Sequence, residues 1–146
     1  MWARAFFGVF TCTLAFVVPV IANADPRTDY ILNCQGCHAA DGRGATAAVP
    51  DFRDQLGKFL QVPGGREYLV RVPGTSQSEL NDARLAAMLN WMLREFSGAE
   101  LPAGFMPYTG AEIARTRRPP LTDVAPVRRQ LIEALAALKN RPPTPH

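Results

Sequence analysis

Apolar residues recur at three- and four-residue spacing through Leu85, Met88, Leu89, Met92, Leu93 and Phe96, which predicts one amphipathic helix over 82–96. Asn81 or Asp82 can cap its start, and Ser97-Gly98 is a natural stop. A second stripe, Leu131, Ile132, Leu135 and Leu138, predicts a helix over 127–139 that packs back on the domain. Shorter apolar segments lie at 30–33, 51–60 and 66–72; the first reads as a short helix, the second as a helix ending before Val62-Pro63-Gly64-Gly65. The third is ambiguous by periodicity. Thr109 and Glu112 form a capping-box pattern for a short helix through Arg117.

The first two dozen residues read as an address. Met1 to Arg4 give a basic start, Ala5 to Ile21 carry no charge, and Ala22-Asn23-Ala24 offers small residues for signal peptidase. An uncleaved anchor is the alternative, but the run is short for a span and Pro19 interrupts it. The expected organisation is therefore a signal peptide over 1–24, a domain core over 25–98, a C-terminal extension over 99–139, and a disordered Pro-rich tail over 140–146. Cys12 would leave with the signal peptide, and the mature chain would be periplasmic with no membrane span.

The full chain of 146 residues holds 16 Lys+Arg against 13 Asp+Glu, a net charge of +3. This balance, with no aromatic-basic interleaving, gives no reason to expect nucleic acid. Basic residues gather towards the C-terminus, where Arg115, Arg117, Arg118, Arg128 and Arg129 could face an acidic partner.

Two cysteines remain after export, in Cys34-Gln35-Gly36-Cys37-His38. This is the C-x-x-C-H haem-attachment pattern. On a helical turn, thiols three apart can reach one edge of the macrocycle, and the adjacent His38 can place a nitrogen on the iron. A redox disulfide would follow a buried strand, which Tyr30-Ile31-Leu32-Asn33 does not resemble. A zinc site lacks ligands, because the only other histidine is His146.

The stretch Tyr30 to Gly44, with the haem motif running into a Gly-containing loop, resembles the opening of class I bacterial c-type cytochromes. Leu80 to Leu93 resembles the C-terminal helix of that family. The resemblance covers roughly 29–96. Together with the predicted helices it implies an all-α class, a small helical cytochrome c fold around one covalent haem c, with Cys34 and Cys37 attached, His38 axial, and the Pro50 carbonyl orienting His38. Trp91 matches the aromatic of the helix crossing, and is counted with the cofactor-binding residues. The family's Met-Pro pair is replaced by Val72-Pro73, and valine cannot bind iron. Met106-Pro107 recreates the pair later in the chain, making Met106 the first candidate for the distal ligand. Met92 or Met88 is the alternative, and an open position the remaining one.

The expected function is one-electron transfer between a periplasmic dehydrogenase or reductase and the terminal-oxidase side of the respiratory chain, rather than enzymatic catalysis. The competing readings are a five-coordinate haem protein that binds small ligands, as a sensor or peroxidase-like protein, and a haem subunit docked in a larger dehydrogenase.

Overall fold

The computed structural model describes residues 25–140. The proposed signal peptide and the tail beyond Asn140 lie outside that range. Among the described residues there is no strand, in agreement with the all-α expectation. In chain order the helices are α1 (Pro26–Asn33), α2 (Gln35–His38), α3 (Leu56–Phe59), α4 (Gly65–Arg71), α5 (Pro73–Ser76), α6 (Asp82–Ser97), α7 (Gly110–Thr116) and α8 (Val124–Lys139). No described helix is long and apolar enough to cross a membrane.

The centre of the fold is α6, whose start is capped by the Asn81 side chain accepting from the Arg84 N–H. Its apolar stripe is buried throughout: Leu85, Met88, Leu89, Met92, Leu93 and Phe96 are all less than a tenth exposed. α1 crosses it. Asp29, fully buried on α1, accepts both Arg84 Nε at 3.2 Å and the Arg84 terminal nitrogen. Tyr30 packs its ring against Trp91 and Phe96 with centroids 5.4 and 5.2 Å apart. α3 joins the C-terminal end of α6, where Ser97 Oγ accepts from the Gly57 N–H at 2.9 Å.

The segment after α6 folds back on the core. α7 packs on α6 through Ile113, which is fully buried, and α8 packs on α3 and α4 through Leu131. α8 begins earlier than periodicity alone suggests, because Pro126 falls in its first turn, where no helical N–H is required of it. Its other apolar residues are less covered: Ile132 and Leu138 remain about two-fifths exposed. α5 lies just past the apolar segment at 66–72, on residues for which the sequence pattern names no helix. Proline at the first helical position starts a turn there.

Candidate functional site

α1 ends at Cys34, whose φ of −128° breaks the helix before α2 carries Cys37 and His38. The chain then reverses at Ala39, and Tyr30 Oη closes the reversal by donating to the Ala39 carbonyl at 2.6 Å. The Ala45 N–H donates to the Cys37 carbonyl at 2.8 Å, and the Phe52 N–H to the Gly42 carbonyl at 2.9 Å. Gly42, at φ +80°, lies against the Phe96 ring so closely that an added Cβ would stand 2.9 Å from it. The haem-motif loop is thereby fastened to α1 and α6 together.

This arrangement opens onto a cavity of about 430 Å³, of a size suited to a cofactor. Cys34, Cys37, His38, Pro50 and Phe52 line one part of it. Leu56 and Phe59 of α3, Tyr68 and Leu69 of α4, and Met88 and Met92 of α6 line another. Val124 and Arg128 of α8 complete it. Both cysteines are free thiols, and burial together with Cys37 pushes the Cys34 pKa up to about 11.

His38 Nδ1 lies 3.1 Å from the Pro50 carbonyl oxygen. A carbonyl only accepts, so this bond requires the proton on Nδ1 and leaves the lone pair on Nε2. Burial lowers the His38 pKa, while the Pro50 bond works against that lowering. The ring is also stacked on Phe52, with centroids 3.7 Å apart. A neutral, oriented imidazole beside two free thiols on a largely apolar cavity fits a covalently attached haem.

The structure places the other candidates differently. Met88 and Met92 are buried on the cavity wall, with Met88 Sδ 3.9 Å from Cys34 Sγ. Met106 is 74% exposed and lies outside the lining, because Arg66 and Asn90 bond to the backbone of its loop. Trp91 does not line the cavity; it packs in the α1–α6 crossing between Tyr30 and Phe96. Pro50 does line it.

One residue of the site carries no signal in the sequence, and a second carries an ambiguous one. Arg128 sits among the C-terminal basic residues, with nothing to mark it as a cavity residue. Tyr68 belongs to a segment whose period is ambiguous. Tyr68 itself and the β-branched Val70 and Val72 suit a strand as well as a helix.

No protein-family model and no solved structure matches the chain. Two cytochromes c-552 from Thermus thermophilus do. One is 31% identical over 120 residues, covering 70% of this chain and 80% of its own length. The other is 31% identical over 107 residues, covering 61% of this chain and 82% of its own. Since 120 aligned positions draw on only 70% of this chain, the first relative carries residues within the matched stretch that this chain lacks. Residue roles are therefore argued from this chain's own geometry. The chain belongs to the cytochrome c-552 family: it is a c-type cytochrome, a haem c protein of electron transfer.

Proposed function

We propose that this protein is exported, loses residues 1–24, and carries single electrons in the periplasm between a dehydrogenase or reductase and the terminal-oxidase side of the respiratory chain. Cys34 and Cys37 would form the thioethers, and His38 Nε2 would be the axial ligand. The haem supplies the one-electron iron couple. The observation that carries this reading is the His38–Pro50 bond within a cavity that also holds both free thiols.

The chain's own residues give the couple its setting. Pro50 fixes the imidazole in one tautomer and one orientation, so no ring rotation accompanies a change of charge. Leu56, Phe59, Leu69, Leu89 and Leu93 keep water from the interior of the cavity, which lowers the local dielectric and tunes the potential. Cys37 is exposed, and Leu32, which also lines the cavity, is 74% exposed. An edge of the site thus meets solvent where a partner can approach.

The test is haem staining of denatured protein expressed with export and a cytochrome maturation system. Wild type is expected to keep its haem through denaturation and to titrate as one reversible electron. Cys34→Ala combined with Cys37→Ala is expected to lose all stain. Denatured wild-type protein without haem would sink the reading. N-terminal sequencing that begins at Asp25 supports the export step; a retained Met1 refutes it.

A further inference from the structure

Among the residues that line the cavity, Asp51 is the one carboxylate and Arg128 the one guanidinium. Asp51 is already paired, since Arg53 donates to its oxygens at 2.6–3.2 Å. Arg128 makes no ion pair among the described residues. Its guanidinium carbon stands 6.0 Å from the centroid of the Phe59 ring.

The other side chain packed on that ring has an unused donor. Tyr68 lies against Phe59 with centroids 5.3 Å apart. Of the three tyrosines, Tyr30 donates to the Ala39 carbonyl and Tyr108 to the Arg66 carbonyl. The Tyr68 hydroxyl bonds to no group among the described residues, although the side chain is only 6% exposed and lines the cavity. Burial raises its pKa, with the nearby Arg128 charge working against the rise, so the hydroxyl stays a neutral donor. One cation and one hydroxyl thus border the same ring on the cavity wall, with no protein acceptor for either.

The helix that carries Arg128 is lightly held. α8 packs on α3 and α4, but Leu131 is its one buried residue. The thiols belong to a different part of the lining, the α1–α2 junction, which is fastened to α6 through Tyr30.

Haem c has the chemistry that this wall lacks. Its thioether carbons and its two propionates leave opposite edges of the macrocycle. A ring attached at Cys34 and Cys37 therefore carries its carboxylates away from the α1–α2 junction. A carboxylate brought to an apolar cavity is strongly disfavoured unless it is paired and hydrogen-bonded. Arg128 is the cation of the lining, and Tyr68 is the buried hydroxyl close to it.

We propose that Arg128 and Tyr68 together bind a haem propionate, and that this contact is what fixes the C-terminal helix α8 to the rest of the domain. The proposal rests on the haem reading above. Arg128 donates through its guanidinium fork and Tyr68 through Oη. No covalent bond changes, and each proton stays on its donor. Arg128 lies beyond residue 96, outside the stretch that resembles class I cytochromes, so the extension of this chain is itself part of the cofactor site.

The test uses the haem-loaded protein and reads three quantities: the propionate bending band in resonance Raman spectra, the reduction equilibrium against a mediator, and amide hydrogen exchange along α8. Arg128→Gln and Tyr68→Phe remove groups with no protein partner, so the fold is kept. Arg128→Gln is expected to shift the propionate band and to speed α8 exchange roughly 10-fold. It should also move the reduction equilibrium towards the oxidised form roughly 3- to 10-fold, because a positive charge near the haem is lost. Arg128→Lys keeps that charge and should recover most of the equilibrium. Tyr68→Phe should shift the propionate band in the same direction by less. Lys139→Gln, which removes one charge from the exposed end of the same helix, should leave all three readings unchanged.

A propionate band unmoved in Arg128→Gln or in Tyr68→Phe overturns the proposal. So does α8 exchange in Arg128→Gln equal to that of wild type, or a Lys139→Gln effect on the reduction equilibrium as large as that of Arg128→Gln. Covalent haem whose propionate band ignores both substitutions defeats this inference alone, whereas denatured wild type without haem defeats the thioether reading beneath it.

Discussion

Asn90 and Tyr108 exchange a closed pair of hydrogen bonds. The Tyr108 N–H donates to Asn90 Oδ1 at 2.8 Å, and Asn90 Nδ2 donates to the Tyr108 carbonyl at 2.9 Å. One helical side chain thus satisfies a complete peptide unit of the loop that follows α6. Asn90 lies two residues from both Met88 and Met92, so it points away from the cavity face they form. Asn90→Ala would leave both backbone groups of Tyr108 without partners, at a cost of about 2 kcal/mol. Chemical denaturation of the haem-loaded protein should show this loss while the visible spectrum stays the same. A changed spectrum would mean that the Met106 loop does reach the iron.

Arg117, a docking charge by sequence position, is a buried brace in the structure. Arg117→Met should destabilise the protein by about 2 kcal/mol or more, since the carbonyls of Ser76, Ser78 and Leu80 lose their donor. The exposed Arg115, Arg118 and Arg129 are the ones left to meet a partner. Replacing these three by Gln should flatten the salt dependence of electron exchange with an acidic partner and leave the melting temperature nearly unchanged. A large drop in melting temperature for the triple variant would contradict this division.

Arg66 carries the acid sensitivity of the outer layer. Its guanidinium bonds to both Glu112 oxygens, at 2.5 and 2.7 Å, and holds the Glu112 pKa below its ordinary 4.5. A carboxylate depressed in the folded state contributes stability that is full above its unfolded pKa and lost as pH falls through the folded one. Thermal melts of wild type should therefore lose stability progressively below pH 4.5. Glu112→Gln should be less stable than wild type at neutral pH and converge with it in acid. Parallel curves would show that the pair contributes nothing to stability.

Gly42 couples the haem-motif loop to α6. Gly42→Ala must adopt φ near +80° and push against the Phe96 ring, and the backbone term alone costs about 1 kcal/mol. Lower stability and slower haem incorporation are expected, read from melts and from the yield of haem-loaded protein. Equal yield and equal stability would show that the ring shifts at no cost.

The amphipathic stripe of α6 and its Asn81 cap are legible in the sequence because burial on one face writes a period into it. The same holds for Cys34, Cys37, His38 and Pro50, whose spacing is set by local geometry. The two cysteines and His38 can be picked out from the motif itself and Pro50 from the family resemblance, and the four stand together on one cavity. What escapes depends on contacts between distant segments. Met106-Pro107 has the right dipeptide, but Arg66 and Asn90, far from it in sequence, decide where its loop lies. Arg117 and Arg128 look alike as C-terminal arginines. One is buried under α5 and the other lines the cavity, and only the packing of α7 and α8 tells them apart.

The presence of Val124 and Arg128 in the cavity lining has a consequence for the order of assembly. The cysteines lie early in the described chain, at 34 and 37, whereas the last wall of their cavity is made by residues some ninety positions later. Until α8 docks on α3 and α4, that side stands open to an incoming macrocycle and to the enzymes that attach it. Closure is therefore a late, long-range event, and a chain truncated before Val124 would keep every attachment residue yet hold its cofactor in a cleft one wall short.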